Sequence, residues 1–152
     1  MERETTPSQS EWLIMEVFWA SSASLTAREV IRKIQDKADM SPRMVRVLIN
    51  RLCQKGVLGY TVDENDLQVY HYFVLKSKED CQKEKSRKFV DSYFGGSRKN
   101  AMAALLKSTD LTEEQFTELE GILGQCMEKH GSAKKECFLQ EKTIRTANDT
   151  LK

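Results

Sequence analysis

The stretch SPRMVRVLINRLCQKG, residues 41–56, predicts the fold more directly than any other part of the chain. Ser41 can cap a helix, Pro42 suits its first turn, and Gly56 is typical of the position after a helix end. One face of the helix is apolar at the i, i+3, i+4, i+7 spacing: Val45, Leu48, Ile49 and Leu52. The stretch has no acid and four basic residues: Arg43, Arg46, Arg51 and Lys55. We therefore expect an amphipathic helix whose apolar face joins a core and whose other face carries uncompensated positive charge.

Two shorter helices are predicted before this one. Residues 10–20, SEWLIMEVFWA, begin with Ser10 as a candidate cap. Residues 26–38, TAREVIRKIQDKA, open with Thr26 and place Glu29 three residues later, which is the spacing of a capping box. Three large apolar side chains share one side of the first helix, Trp12, Met15 and Trp19, and the two tryptophans are expected to be core anchors.

The pattern changes to that of a β-hairpin after Gly56. Residues 57–62, VLGYTV, and 68–75, QVYHYFVL, are rich in β-branched and aromatic residues, and a polar loop separates them. The loop is acidic over residues 63–66, which argues against a hairpin tip that grips phosphate. Three helices followed by a hairpin, with a basic third helix, is the layout of a winged helix-turn-helix.

Helical periodicity returns in the second half of the chain. Three helices are predicted within residues 77–130, the last of them capped by Thr112 with Gln115 three residues on. Helices in series after a unit with its own core often bury their faces against a second copy of the chain. We therefore expect a mainly α protein with a small hairpin: a winged-helix domain at 8–75, a helical dimerisation domain at 77–130 and a polar tail at 131–152. The expected dimer contacts are Phe89, Val90, Tyr93, Phe94, Phe116, Leu119 and Leu123. The alternative for Phe89, Tyr93 and Phe94 is that they close the core of the monomer.

The basic helix has the chemistry of a DNA-reading element. A helix in the major groove needs donors that reach base edges, and arginine pairs with guanine while asparagine pairs with adenine. Expected base contacts are Arg43, Met44, Arg46, Val47 and Asn50. Arg51 and Lys55 lie lower on the helix, and Thr26, Arg28 and Ser41 lie at helix starts, so these five residues are expected at phosphates.

Composition limits the other possibilities. The net charge of the chain is +1, so any DNA footprint must be local. No apolar run approaches the roughly 20 residues of a membrane span, and the N-terminus does not resemble a secretory signal, so we expect a cytoplasmic protein without a membrane partner. No nucleophile or paired carboxylate accompanies His71, so we expect no enzymatic activity and no cofactor. The four cysteines form no CxxC or CxC pair and are expected to be free thiols.

The order of these motifs resembles the penicillinase-repressor family, the BlaI/MecI/CopY group of bacterial repressors. The resemblance runs over about residues 8–125. It is strongest in the E-W-x-x-M-x-x-x-W run (Glu11 to Trp19), the N-R-L-x-x-K-G run (Asn50 to Gly56) and the F-x-x-x-Y-F-G-G run (Phe89 to Gly96). The resemblance implies a homodimer that represses transcription from an inverted repeat with TACA/TGTA-type half-sites, each read by one recognition helix.

Departures from the family pattern bear on sequence preference and on induction. Met44 and Val47 flank Arg46 where the β-lactamase repressors often have threonines, which gives apolar contact with thymine methyl groups more weight. The resemblance implies induction by a sensor-activated protease that cuts an Asn–Phe bond, and the bond in register here is Ala104–Leu105.

Two alternatives remain open at this stage. The first is a metal-responsive repressor, because Cys126, His130 and Cys137 include a thiol and an imidazole at i and i+4; structural zinc, however, requires four ligands and only three are visible. The second is a winged-helix module that binds protein, and the uncompensated basic helix argues against it.

Overall fold

The computed structural model describes residues 4–129, which form six helices and a two-stranded antiparallel hairpin. The expected fold class, mainly α with one small hairpin, is confirmed. No helix among these residues is long and apolar enough to cross a membrane. In chain order the elements are α1 (Gln9–Ala20), α2 (Ala27–Gln35), α3 (Pro42–Gln54), β1 (Leu58–Val62), β2 (Tyr70–Val74), α4 (Lys78–Phe94), α5 (Arg98–Ser108) and α6 (Glu113–Lys129).

The first helix begins earlier than its sequence predicts. Ser8, not Ser10, is the N-cap of α1, so the predicted cap is wrong. Ser8 Oγ accepts from the Glu11 amide at 3.3 Å, and Glu11 Oε2 accepts from the Ser8 amide at 3.0 Å. Ser8 is preferred because it has a glutamate three residues on, which satisfies two orphan amides at once.

The predicted cap of α2 and both predicted ends of the basic helix are confirmed, whereas α2 ends at Gln35 and not at the predicted Ala38. Thr26 and Glu29 form the capping box of α2, and Ser41 Oγ accepts from the Met44 amide at 3.1 Å at the start of α3. Gly56 follows α3 with φ +78°, a left-handed conformation that glycine adopts without strain. Caps therefore fix both ends of the basic helix.

The apolar stripes of the first three helices meet in one core. The stripe predicted on α3 is at most 2% exposed. Trp12 and Trp19 are partly buried against this core, and their rings pack edge to face with centroids 5.0 Å apart. Residues buried from α1, α2 and α3 are Glu11, Ile14, Met15, Val17, Phe18, Ala27, Val30, Ile34, Val45, Leu48, Ile49 and Leu52.

The hairpin is attached to the helices by a third extended segment. β1 and β2 pair with Tyr60 opposite Tyr72, and Leu25 in the α1–α2 connection exchanges two backbone hydrogen bonds with Tyr72, at 2.8 and 2.9 Å. At Gly59 an added Cβ would lie 2.6 Å from the Phe73 ring, so glycine is what lets that ring cover the strand. Together with the three helices, this hairpin completes a winged helix-turn-helix.

The chain divides into two compact units, one that ends at Arg98 and one that starts at Lys99. Helix α4 belongs to the first unit, where Cys81 is fully buried in the winged-helix core. Trp19 Nε1 also donates to the Lys76 carbonyl, at 3.1 Å, just before α4. The first unit is thus longer than the expected 8–75 domain, and a dimerisation role for 77–130 stays a prediction.

Candidate nucleic-acid interface

The face of α3 opposite its buried stripe is open to solvent. Met44 is 49% exposed and Val47 is 39% exposed, so two apolar side chains lie uncovered in the middle of a polar surface. Their placement is the one that the apolar periodicity predicts, because the stripe takes up the other side of the helix. The exposed residues of this face are Arg43, Met44, Arg46, Val47, Asn50 and Arg51.

The charges of this face have no ion-pair partner within the part of the chain that the structure describes. Among the ion pairs formed within residues 4–129, none includes Arg43, Arg46 or Arg51. The first turn of α3 contains no acidic residue either. Such a surface attracts an anionic partner, and the fork geometry of arginine suits both phosphate and guanine.

A cleft of about 570 Å³ lies between the start of α2, the middle of α3 and the hairpin. It brings together Arg28 and Arg46, which come from different helices, and it includes the Thr26 cap. Two of the predicted phosphate contacts, Thr26 and Arg28, therefore lie beside Arg46, a predicted base contact. A third, Ser41, is exposed at the start of α3. The lining residues are Thr26, Ala27, Arg28, Arg46, Asp66, Gln68, Val69, Tyr70 and Tyr72.

The hairpin contributes residues to this cleft that the sequence reasoning missed. Gln68, Tyr70 and Tyr72 line it, and the rings of Tyr60 and Tyr70 pack edge to face with centroids 5.3 Å apart. The signal was present in the sequence, because Tyr70 and Tyr72 alternate along one strand and must share a face. Which partner that face meets depends on the placement of the hairpin, and the strand pattern does not give it.

The acidic hairpin tip has a structural explanation. Asp63 Oδ1 accepts from the amides of Asn65 and Asp66, at 2.8 and 3.3 Å, and Asp66 accepts from the Gln68 amide at 3.0 Å. Asp63 also contacts His71 at 2.9 Å, and this hydrogen bond is the main reason that the pKa of the Asp63 carboxyl is lowered. These carboxylates build the turn, as aspartates commonly do.

Lys55 lies apart from the other predicted DNA contacts. Its ammonium donates to Glu11 Oε2 at 2.7 Å and to the Thr6 carbonyl at 3.2 Å. The Glu11 side chain is only 2% exposed and that of Lys55 is 18% exposed, so this is a largely buried ion pair. The predicted phosphate contact of Lys55 would require this ion pair to break. The exposed arginines of α3 could contact a phosphate without breaking an ion pair of the described residues.

The cysteines give little support to redox or metal chemistry here. Burial raises the pKa of the Cys53 thiol, on α3, and so disfavours the reactive thiolate. Cys126 is exposed on α6. Residues 4–129 contain no cluster of three or more His, Cys, Asp or Glu side chains placed to hold a metal ion. The other metal candidates, His130 and Cys137, lie outside the described residues.

The predicted dimer contacts are uncovered to different degrees. Tyr93 is 76% exposed and Phe89 is 42% exposed, whereas Val90 and Phe94 are half-buried. The ring centroid of Phe89 lies 5.4 Å from that of Tyr93 and 5.5 Å from that of Phe94. No residue of α6 is buried in this structure. Its predicted contacts Phe116, Leu119 and Leu123 are 51%, 36% and 59% exposed.

The bond in register with the family cleavage site lies inside a helix. Ala104 and Leu105 belong to α5, with Ala104 half-buried and Leu105 55% exposed. A helical bond is a poor protease substrate until its helix opens locally.

The chain matches known proteins along most of its length. It is 27% identical to the methicillin resistance regulatory protein MecI of Mammaliicoccus sciuri over 78% of this chain and 93% of that protein. It is 28% identical to the penicillinase repressor of Bacillus licheniformis over 85% of this chain and 94% of that protein. Among solved structures, BlaI of Bacillus licheniformis bound to the blaP half-operator is similar at 26% identity, with a TM-score of 0.43 over 53% of this chain and 93% of that one. The model of the penicillinase repressor family matches residues 7–125, so the chain belongs to the penicillinase repressor family.

Proposed function

We propose that the protein is a homodimeric transcriptional repressor that binds double-stranded operator DNA through the exposed face of α3. The observation that carries the proposal is the exposed set of Arg43, Arg46 and Arg51, which forms no ion pair with residues 4–129 and lies on a helix whose opposite face is buried. A helix held in this way can enter a major groove without losing core contacts. The MecI and penicillinase-repressor relatives support the same role.

The roles of the residues follow from their positions. Arg43, Arg46 and Asn50 offer donors to base edges, and Met44 and Val47 offer apolar contact to thymine methyl groups. Arg51, Ser41 and the start of α2, with Thr26 and Arg28, are assigned to phosphates. The operator that the family resemblance implies is an inverted repeat of TACA/TGTA-type half-sites.

The test is binding of the purified protein to a fluorescent duplex with this inverted repeat. Arg46→Ala should weaken binding by about 10- to 100-fold per half-site, the worth of one bidentate arginine contact. Arg87→Ala is the matched control, since it removes an exposed arginine from α4 and should leave affinity nearly unchanged. Equal affinity of Arg46→Ala and the parent would contradict the assignment of α3.

Salt dependence separates this proposal from a winged-helix module that binds protein. Because phosphate contacts release counterions, log affinity should fall linearly with log salt at a slope of about −0.9 per contacted phosphate. A protein-binding module would show no measurable DNA binding at either of two salt concentrations. The same assay, repeated with zinc or copper(I), tests the metal-responsive alternative through DNA release.

We extend the proposal to induction by a sensor-activated protease, which is what the family resemblance implies. The bond proposed is Ala104–Leu105, and cutting there requires α5 to open. Mass spectrometry of the protein from cells exposed to a β-lactam should then detect a fragment that ends at Ala104. Leu105→Glu, which keeps a good helix former, should block the cut. Derepression with the chain intact would contradict this route.

A further inference from the structure

Residues 4–8 run from α4 past the end of α3 to the start of α1, and we call this segment the N-terminal strap. Thr6 is fully buried within it, and its carbonyl accepts from Lys55 Nζ at 3.2 Å. The strap ends at Ser8, which shares a capping box with Glu11, the ion-pair partner of Lys55. The end of the basic helix is therefore fixed to both the strap and the first turn of α1.

The other edge of the strap is fixed to α4. Lys76 Nζ donates to the Thr5 carbonyl at 3.2 Å and to Glu84 at 3.1 Å, and Thr5 Oγ1 donates to Glu84 at 3.2 Å. Lys88 also pairs with Glu4 at 2.9 Å. The Thr6 hydroxyl and Lys88 together hold the pKa of Glu4 at about 2, so this carboxylate is charged at neutral pH.

The Lys55–Glu11 pair is too buried to serve also as a phosphate contact. Moving the Lys55 ammonium to a phosphate would leave the Glu11 carboxylate, 2% exposed, without its counter-charge. Surface lysines carry no such cost. The two motifs that mark the family resemblance most strongly, the E-W and N-R-L-x-x-K-G runs, meet in this one pair.

A small rotation at Lys55 would misplace the DNA-reading residues. Arg43 lies about 18 Å along the helix from Lys55, at a rise of about 1.5 Å per residue. A tilt of about 10° at that end displaces Arg43 by roughly 3 Å, as much as the length of a hydrogen bond. An anchor at the end of α3 therefore controls whether its first turns can reach base edges.

We propose that Lys55 is a positioning residue for operator recognition: with Glu11 and the N-terminal strap, it sets the orientation of α3 and makes no phosphate contact. This inference rests on the proposed DNA-binding function. Lys55 then contributes to the sequence specificity of DNA binding and not to the electrostatic part of the affinity. It also predicts that Lys55 can be changed without altering the number of phosphates that the protein contacts.

The experiment uses the full chain and two duplexes, the TACA/TGTA inverted repeat and a scrambled duplex of equal length. The double variant Glu11→Gln with Lys55→Met removes both charges, so no buried charge is left alone, and the amide oxygen of the new glutamine can still accept from the Ser8 amide. It is compared with the parent and with Lys55→Arg, which keeps the ion pair. Circular dichroism and thermal unfolding select a temperature at which every variant is folded.

We expect the folded double variant to bind the inverted repeat about 10-fold more weakly, to bind the scrambled duplex as the parent does, and to keep the parent's salt slope. Lys55→Arg, which keeps the ion pair, should keep most of the parent's preference for the inverted repeat. Parent-like preference in the double variant would overturn the proposal in favour of a purely structural pair. A salt slope shallower by about 0.9 per lost contact, with both duplexes bound more weakly, would overturn it in favour of a phosphate contact.

The proposed function has its own readout in the same experiment. If the parent does not prefer the inverted repeat over the scrambled duplex, the DNA-reading function itself fails for this operator, and the positioning role falls with it. If the parent shows the preference and the double variant retains it, only the positioning role fails. Should the double variant not fold, Glu11→Gln alone is judged by the same three criteria, because it leaves only the partly exposed Lys55 ammonium, which keeps its hydrogen bond to the Thr6 carbonyl.

Discussion

Helices α3 and α6 carry the same kind of apolar stripe, yet they differ completely in what covers it. On α3 the stripe from Val45 to Leu52 is at most 2% exposed. On α6 the stripe from Phe116 to Leu123 is between 36% and 59% exposed, and no residue of that helix is buried. Uncovered apolar stripes of this length mark surfaces that bind a partner.

The difference shows how one periodicity can serve two purposes. In α3 the stripe is buried in the protein's own core, which leaves the opposite, basic face open to solvent. In α6 the stripe itself is the open face, and the partner that we propose for it is a second copy of the chain. Amphipathicity thus predicts a helix and a buried face, but it does not say whether the cover comes from the same chain.

The largest expected effect comes from truncating the two stripes at matched positions. Ile49→Ala should lower the free energy of unfolding of the first unit by about 2–5 kcal/mol, because Ile49 is fully buried. Leu123→Ala, at 59% exposure, should change it by less than about 0.5 kcal/mol. Tryptophan fluorescence during urea unfolding reports the first unit alone, since the two tryptophans lie in α1. A free energy of unfolding for Ile49→Ala equal to that of the parent would show that the buried stripe of α3 does not stabilise the first unit.

The next effect concerns the partner that α6 is proposed to bind. Ile122→Glu places a charge in the exposed stripe and should weaken the dimer by at least about 10-fold, since each symmetric interface receives two such charges. Gln125→Glu adds the same charge on the polar side of α6 and serves as the matched control. Sedimentation equilibrium gives the dimer dissociation constant of both variants. A dimer that tolerates Ile122→Glu would remove α6 from the interface.

Local sequence signals predicted the parts of the fold that depend on neighbours in the chain. The capping boxes at Thr26 and Thr112, and the stripe on α3, involve residues at most seven positions apart. The cap at Ser10 was the exception, because Ser8 and Ser10 are both acceptable caps and only one of them has a glutamate at the third following residue. The predicted site on α3 relied on the same short-range pattern.

Features that join distant parts of the chain were not predictable. The partners Glu11 and Lys55 are 44 residues apart, so a lysine that looks like part of a basic face proves to be paired in the structure. The cleft residues Gln68 and Tyr70 were missed for the same reason, since only the placed hairpin brings them to Arg46. Charge counted along a helix therefore overestimates the charge that is available to DNA.

A pair of glycines gives a smaller effect of opposite sign in the two helices. Gly56, just after α3, has φ +78°, so Gly56→Ala should cost about 1 kcal/mol through backbone strain. Gly121 lies within α6 at an ordinary φ with open space around its Cα, so Gly121→Ala should stabilise that helix by about 0.5–1 kcal/mol. Tryptophan fluorescence follows the first variant and far-ultraviolet circular dichroism the second. A gain at position 56 would show that α3 does not need its left-handed end.

The smallest expected effect concerns an ion pair of the first unit. It tests whether polar contacts stabilise this unit in addition to its buried apolar side chains, which α6 lacks. The hydrogen bond from Lys76 is the main cause of the lowered pKa of the Glu84 carboxyl. A carboxyl whose pKa is lower in the folded state stabilises that state above its unfolded pKa of about 4.3, and this stabilisation disappears as pH falls through the folded pKa. Glu84→Gln should therefore lower the free energy of unfolding at pH 7 by less than about 1 kcal/mol, which appears as a slightly lower Tm. The Tm difference between the variant and the parent should shrink steadily below about pH 4.5. Glu64→Gln, which changes an exposed carboxylate in the hairpin loop, is the control. A Tm difference that persists at about pH 2, below the usual carboxyl range, would mean that Glu84 acts through packing and not through its charge.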